Sequence, residues 1–208
     1  MNPKYILRLI RHGKTEKQDV PDPHRQLSQE GQNQALRASK AMEDDPITLC
    51  LVSPTARTKA TADIILGGHN ECADIREFPE IYPDPGLPEN DTTWKMFRAV
   101  GNKPLADYST HPDYHLLEAI GIASAEAIAE LVEEIDEDNP LILLVGHAVL
   151  NPIVAYAIAV GCGDEKAVSE IERIDMQEGE TLELIVFEDD NRVEVKVIHL
   201  PTAVAVAH

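Results

Sequence analysis

Short, almost wholly apolar runs alternate along this chain with longer segments whose apolar residues recur at helical spacing. Apolar residues fill nearly every position of 5–10, the pattern of a parallel strand covered on both faces. Similar runs predict strands at 48–52 and 141–145. The helices predicted between them are marked by Ala35, Ala38, Ser39 and Met42 within 27–42, by Ala56, Ala60 and Ile64, and by Ile120, Ala123, Ala127, Leu131 and Ile135. This alternation predicts a three-layer α/β/α sandwich with a mostly parallel sheet.

Polar and glycine residues at the expected element boundaries support this assignment. Ser28 is predicted as the N-cap of the first helix, and Gly67-Gly68 is predicted to end the second. Near the end of the sequence, the runs 181–187 and 192–200 are separated by four polar residues at 188–191. This arrangement predicts a hairpin at the edge of the sheet.

The stretch 141–162 contains no Asp, Glu, Lys or Arg, and two interpretations compete for it. A transmembrane helix would place His147 and Pro152 near its middle, which lipid disfavours. We therefore favour a buried strand, a turn and a helix that begins at Pro152, is capped by Asn151 and ends before Gly161.

The segment at about 78–115 differs from the rest because it is rich in proline and holds the only tryptophan. We interpret it as a lid-like insertion within a single domain that spans 1–208, with a tolerated surface insertion as the alternative. Four of its side chains are candidates either for contact with a leaving group or for covering the core: Trp94, Arg98, Lys103 and Tyr108.

The charge balance narrows the classes of partner. The chain has 37 acidic and 18 basic residues, for a formal net charge of −19. Nucleic acid and anionic membrane surfaces are disfavoured because phosphate-rich partners need an excess of Lys and Arg. A small anionic substrate must then be held by a few local arginines. Three cysteines without a CxxC pair, and no visible targeting segment, indicate reduced thiols and a cytoplasmic location. A homodimer is left open.

Polar residues of one chemical character follow three of the predicted strands directly, at 11–13, 53–57 and 146–147. Ligands bind outside the carboxyl ends of the strands in open α/β sheets, so these turns are expected to converge. Two guanidinium groups and a helix N-terminus suit a phosphoryl group. An imidazole can attack phosphorus and carry the group as a phosphohistidine. Three such turns together predict a phosphoryl-transfer site.

Four segments in these regions carry a resemblance to a known family. They are LIRHGKT at 9–15, LSQEGQNQA at 27–35, SPTARTKATA at 53–62 and VGH at 145–147. In this order they resemble the RHG signature, the LTxxGxxQA helix start, the SPxxRAxxTA segment and the second-histidine segment of the histidine phosphatase superfamily. That family includes the cofactor-dependent phosphoglycerate mutases, and the resemblance implies their α/β/α fold.

The resemblance also implies roles for individual residues. His12 would be the nucleophile, and Arg11, Arg57 and His147 would bind the phosphoryl group and stabilise the charge that develops on its oxygens. Gln18 stands where the family often has an asparagine that contacts phosphate, so that contact is altered here or supplied by another group.

A carboxyl group is the family's proton donor, and it usually lies some twenty residues after the second arginine. Glu80 fits best, at 23 positions beyond Arg57. Three neighbouring acids remain alternatives: Glu77, Asp84 and Glu89.

The resulting expectation is a metal-independent phosphomonoesterase that acts through a covalent phosphohistidine on a small phosphate ester or a phosphohistidine, without a cofactor. A phosphoglycerate mutase is one alternative, although such mutases are usually longer than this chain. A non-catalytic docking protein on the same fold is another, against which the intact set of predicted site residues argues. No metal site is expected, because Pro112 disfavours a regular helix between His111 and His115.

Overall fold

The structure is a computed structural model that describes residues 3–17, 19–67, 74–187 and 192–198. Six strands within these ranges form one sheet: β1 (Tyr5–Arg11), β2 (Ile47–Val52), β3 (Asp74–Glu77), β4 (Leu141–Gly146), β5 (Thr181–Phe187) and β6 (Arg192–Ile198). The helices are α1 (Gln29–Ala41), α2 (Ala56–Leu66), α3 (Asp91–Val100), α4 (Leu105–Tyr108), α5 (Tyr114–Glu133), α6 (Leu150–Cys162) and α7 (Glu165–Ile171). Short 3₁₀ turns occur at Asp22–His24, Pro79–Ile81 and Pro88–Asn90.

The strand order in the sheet is β3-β2-β4-β1-β5-β6. Strands β1 to β4 run parallel to one another, whereas β5 pairs antiparallel with both β1 and β6 at one edge. The mostly parallel sheet and the two strands of the terminal hairpin are therefore confirmed. The turn predicted at 188–191 and the last two residues of the predicted strand lie outside the described residues. Strand β3 was not predicted from the sequence, because all four of its residues are exposed and it lacks an apolar run.

Helices cover both faces of the sheet, and each face has its own apolar cluster. Ile142 and Leu144 of β4 belong to the larger cluster, which includes residues of α5 and α6. Leu143 and Val145 of the same strand belong to the cluster that contains Ala38 of α1 and residues of α2. Alternation along a strand sends successive side chains to opposite faces, so β4 contributes to both clusters. The predicted three-layer sandwich is confirmed.

Two helices bury a different face from the one predicted. In α2 the buried residues are Arg57, Thr58, Thr61, Ala62 and Ile65, rather than the face marked by Ala56 and Ile64. Thr58 donates a hydrogen bond to the Ser53 carbonyl over 2.6 Å, and Thr61 donates to the Arg57 carbonyl over 2.8 Å. Local bonding to the backbone lets these hydroxyls be buried, so apolar spacing alone selects the wrong face.

Helix α5 is displaced by one position from its predicted face. Its buried residues are Leu117, Gly121, Ser124, Ile128 and Val132, whereas the predicted Ala123 is exposed. The other four predicted residues are partly buried and pack against the larger apolar cluster: Ile120, Ala127, Leu131 and Ile135. A Cβ atom at Gly121 would lie 2.7 Å from the carbonyl oxygen of Ile153 in α6. A small residue is therefore needed at Gly121, because α5 and α6 approach each other closely there.

The uncharged stretch divides into β4 and α6, as expected, but the helix boundaries differ from the prediction. Helix α6 begins at Leu150, so Asn151 lies in its first turn and is not its N-cap. The helix continues past Gly161 and ends at Gly163, which has φ of 71°. Among the described residues, no helix is long and apolar enough to cross a membrane.

The proline-rich segment folds into the turns Pro79–Ile81 and Pro88–Asn90, followed by α3 and α4. Met96 and Leu105 from this segment are buried in the larger apolar cluster. The segment is therefore packed into the core, and a few of its side chains also line the cavity described below.

Candidate active site

The turns after β1, β2 and β4 meet at one edge of the sheet, as their sequence positions predict. Arg11 pairs with Gly146 in the register of β1 and β4. The His12 amide donates to the Gly146 carbonyl over 3.0 Å, and the Ser53 amide donates to the Val145 carbonyl over 3.1 Å. These backbone bonds fix the three turns relative to each other, beside a cavity of about 230 Å³.

His12 presents an unprotonated ring nitrogen at this cavity. Its Nδ1 lies 2.7 Å from the carbonyl oxygen of Gly13, which can only accept, so Nδ1 carries the proton. Nε2 then holds a lone pair and accepts a hydrogen bond from Arg57 Nε over 3.1 Å. Burial, followed by the positive charge of Arg57, lowers the pKa of His12 to about 3. The imidazole is therefore neutral and chemically equipped to act as a nucleophile.

Arg57 connects both histidines to an acidic residue in the loop after β1. Its Nη1 donates to the Asp22 carbonyl oxygen over 2.6 Å, and its Nη2 donates to the Asp22 carboxylate over 2.8 Å. Tyr82 donates its hydroxyl proton to the same carboxylate oxygen over 2.7 Å. Burial opposes ionisation of Asp22, but the charge of Arg57 and these hydrogen bonds outweigh it and lower the pKa of Asp22. An anion thus already occupies Arg57.

His147 is held in one orientation by hydrogen bonds from both sides. Its Nδ1 lies 3.4 Å from Arg57 Nη2, which can only donate, so the protonated Nε2 donates to Ser53 Oγ over 2.8 Å. The amide of His147 donates to Asn151 Oδ1 over 3.1 Å. Burial, His12 and Arg57 together lower the pKa of His147 well below its ordinary value. This ring is also neutral, and it lies 5.2 Å from the His12 ring between centroids.

Arg11 supplies a second guanidinium group whose bonding is incomplete. Its Nη1 donates to the Met176 carbonyl over 2.7 Å, and its Nη2 lies 3.9 Å from the Glu178 carboxylate. Its Nε is buried without a hydrogen-bond partner. Burial lowers the pKa of Arg11, and Glu178 opposes this effect. A buried donor without a partner is costly, so Arg11 has unused capacity to bind an anion.

Two glycines allow the loop that carries His12 to lie directly against α1. A Cβ atom at Gly13 would overlap the backbone of Gly31, and one at Gly31 would overlap the backbone of Lys14. The Ser28 hydroxyl accepts from the Gly31 amide over 3.1 Å, which confirms its predicted N-cap role. The glycines of the RHG and LSQEG segments are therefore paired in space.

The cavity brings together four of the six predicted site residues: Arg11, His12, Arg57 and His147. Gln18 lies outside the described residues. Glu80 lies in the turn Pro79–Ile81 with an exposed side chain and is not part of the cavity lining. Its alternatives Glu77, Asp84 and Glu89 are also exposed and outside that lining. The role of proton donor thus stays a prediction.

Trp94 and Tyr108 line the cavity, whereas the other two candidates of the proline-rich segment, Arg98 and Lys103, do not. Sequence reasoning gave no individual role in the site to several further residues that line it or support it: Ser53, Asp22, Arg25, Tyr82, Asn151 and Glu178. Arg25 offered a signal, since it is a basic residue between the RHG segment and α1. Asn151 offered none, because its side chain acts inside a helix.

The described residues contain no group of three or more His, Cys, Asp or Glu side chains placed to hold a metal ion. Positive charge at the cavity comes from arginine side chains: Arg11, Arg25 and Arg57. Two guanidinium groups beside an unprotonated imidazole can bind a phosphoryl group and accept it covalently.

Comparison with known proteins agrees with this geometry. The chain matches the family model of the histidine phosphatase superfamily (branch 1) over residues 7–195. No curated protein shows significant sequence similarity to the chain. Among solved structures, a mycobacterial glucosyl-3-phosphoglycerate phosphatase is similar at 18% identity and a TM-score of 0.66, covering 93% of this chain and 97% of its own.

Two further solved structures share the fold. The alpha-ribazole phosphatase from Shigella flexneri is 17% identical with a TM-score of 0.61, covering 98% of this chain and 100% of its own. The putative phosphohistidine phosphatase SixA from Agrobacterium tumefaciens is 17% identical with a TM-score of 0.54, covering 87% and 91%. Likeness at this identity establishes the fold, and the family match over nearly the whole chain establishes more: the protein belongs to the histidine phosphatase superfamily, branch 1.

Proposed function

We propose that the protein is a metal-independent phosphomonoesterase that acts through a phosphohistidine on His12, with a small phosphate ester or a phosphohistidine as substrate. The observation that carries the proposal is the neutral His12 ring, whose unprotonated Nε2 lies beside Arg57 at the cavity. A cytoplasmic location is part of the proposal and is supported by the sequence, which has three cysteines and no CxxC pair.

In the first step, His12 Nε2 forms a bond to phosphorus while the bond from phosphorus to the leaving group breaks. The phosphoryl oxygens take up the donors of Arg57 that Asp22 holds at rest, together with the free Nε of Arg11. The Nε proton of Arg57 must turn away from His12 Nε2 to expose the lone pair. In the second step, water attacks the phosphohistidine and releases phosphate, and His12 recovers its lone pair.

Protonation of the leaving group is assigned to one of two carboxyl groups. Glu80 is implied by the family resemblance but is exposed, outside the cavity lining. Glu178 lines the cavity and lies 3.9 Å from Arg11. A general acid must reach the leaving oxygen, so the two candidates are separated by how their variants respond to the choice of leaving group.

A phosphoglycerate mutase on the same residues is the second candidate, and the cavity lining favours the phosphatase. Its three arginines are accompanied by two acidic residues, Asp22 and Glu178. A mutase must hold a substrate with a carboxylate and a second phosphate. Acidic residues in the lining make that arrangement unfavourable.

The test is to trap the intermediate in the presence of EDTA. Wild-type protein mixed with a labelled phosphate ester and denatured in alkali should retain an acid-labile, base-stable phosphoryl group. His12→Ala should lose both the label and turnover, whereas His115→Ala, which changes an exposed histidine of α5, should keep both. Substantial turnover by His12→Ala, or a divalent-ion requirement revealed by EDTA, would contradict the proposal.

A further inference from the structure

Four aromatic rings form a continuous wall beside the candidate phosphoryl site. Tyr82 contacts Trp94 edge to face at 5.9 Å between ring centroids, and Trp94 contacts Phe97 at 5.4 Å. Phe97 in turn lies 6.2 Å from the Tyr108 ring. Tyr82 also lies 5.1 Å from the His147 ring, so the wall begins at the catalytic side chains. We call these four residues the aromatic wall.

The hydrogen-bond donors of the aromatic wall are all used within the protein. The Tyr82 hydroxyl donates to Asp22, as described, and Trp94 Nε1 donates to the Pro83 carbonyl over 2.7 Å. The Tyr108 hydroxyl donates to the Gly101 carbonyl over 2.6 Å. Phe97 has no polar atom in its side chain. The wall therefore offers a ligand ring carbons, ring hydrogens and two tyrosine oxygens that can still accept, but no free hydrogen-bond donor.

The first residues of α6 and the segment just before it add further apolar lining: Ala148, Val149 and Leu150. The cavity lining also includes two neutral polar side chains, Thr15 and Asn102, so a polyhydroxylated leaving group is disfavoured where it lies against the wall, because water lost there is not replaced by hydrogen bonds. A planar aromatic ring would instead make edge-to-face or offset contacts with the wall.

We propose that the leaving group of the substrate is a planar aromatic or heteroaromatic ring, bonded to the phosphoryl group directly or through a very short linker. This inference rests on the proposed function for its chemistry, because the phosphoryl end must lie at His12 and the arginines. It concerns the opposite end of the substrate, and the aromatic wall determines which ring is accepted.

Binding of non-hydrolysable phosphonates separates this inference from the question of turnover. Calorimetry on the full chain in EDTA compares phenylphosphonate with cyclohexylphosphonate, which is similar in size but not planar, and with methylphosphonate as the phosphoryl baseline. We expect phenylphosphonate to bind about three- to tenfold more tightly than cyclohexylphosphonate. Equal binding, or preference for cyclohexylphosphonate, would overturn the inference and leave the proposed function standing.

Variants of the aromatic wall test whether these residues cause the preference for phenylphosphonate. Trp94→Leu and Phe97→Leu should each reduce the preference for phenylphosphonate over cyclohexylphosphonate, while the affinity for methylphosphonate stays as in wild type. Phe187→Leu changes a phenylalanine outside the cavity lining and should retain the preference. A preference that survives in both wall variants would overturn the assignment to this wall. Failure of all three phosphonates to bind would overturn the inference together with the proposed function. Phenylphosphonate preference without any turnover of phenyl phosphate would support the ring site and contradict the phosphatase.

Discussion

At the scale of single residues, the assignment that most needs testing is the proton donor. Glu178 lines the cavity, whereas Glu80 is exposed and lies outside its lining. An alkoxide leaves poorly without a proton, but p-nitrophenolate leaves readily, so a general acid matters for one substrate and hardly for the other. We expect Glu178→Gln to lower kcat/KM for an alkyl phosphate about 100-fold, with far less effect on p-nitrophenyl phosphate.

Glu80→Gln and the exposed control Glu89→Gln should leave the ratio of the two kcat/KM values as in wild type. A changed ratio in Glu80→Gln alone would assign the role to Glu80 and remove Glu178 from it. The ratio compares two substrates of the same variant, so a general loss of stability, which lowers both kcat/KM values together, does not change it.

Residue types at strand ends were enough to predict that Arg11, His12, Arg57 and His147 meet in one place, because the carboxyl ends of parallel strands lie at one edge of the sheet. Asp22 could not be predicted in the same way. Its importance comes from its contacts with Arg57 and Tyr82, which lie 35 and 60 positions away in the sequence. An acidic side chain in an acidic chain gives no signal until the fold brings those partners together.

At the scale of elements, the contact between α1 and the loop after β1 determines where His12 lies. A Cβ atom at Gly31 would overlap Lys14, so either the helix or the loop must move to accommodate it. We expect Gly31→Ala to reduce the free energy of unfolding by about 1–3 kcal/mol and to lower kcat/KM as His12 shifts. Urea unfolding and steady-state kinetics measure the two effects.

The matched control is Gly161→Ala within α6, where a Cβ atom would meet nothing within 4 Å. Alanine has a higher helix propensity than glycine, so the free energy of unfolding of this variant should rise by about 0.5–1 kcal/mol and its activity should be unchanged. Similar stability in the two alanine variants would show that the close contact at Gly31 is not needed.

Element types were predictable because buried strands and amphipathic helices leave different spacings in the sequence. The buried faces of α2 and α5 were not fully predictable from apolar spacing. In α2, Thr58 and Thr61 are buried because their hydroxyls bond to nearby carbonyls, and in α5, Gly121 is buried because another helix approaches it closely. Strand β3 is exposed at every residue and pairs through its backbone, so its side chains do not reveal it.

At the scale of the whole molecule, the buried neutral histidines make folding stability depend on pH. The pKa of His12 is lowered to about 3 in the fold, whereas an unfolded histidine titrates near 6.5. Between these values the unfolded chain binds the extra proton, so stability is lost as pH falls below about 6.5. His12 alone should cost about 2 kcal/mol of the free energy of unfolding between pH 7.5 and 5.

Urea unfolding across this pH range tests the effect. We expect His12→Asn to flatten the pH dependence by about that amount, while His115→Asn, an exposed site on α5, retains the wild-type slope. An unchanged slope in His12→Asn would mean that His12 is charged in the folded protein.

The carboxylate of Asp22 on Arg57 has a consequence for selectivity among cellular anions. A metabolite bearing only a carboxylate would displace one singly charged group with another, and the exchange would bring little net gain. A phosphoryl dianion brings a further charge and a third oxygen, with which it can engage Arg11 as well as Arg57. If the cavity binds phosphoryl groups as proposed, the Asp22 carboxylate on Arg57 should therefore make monocarboxylates poor competitors of phosphorylated ligands.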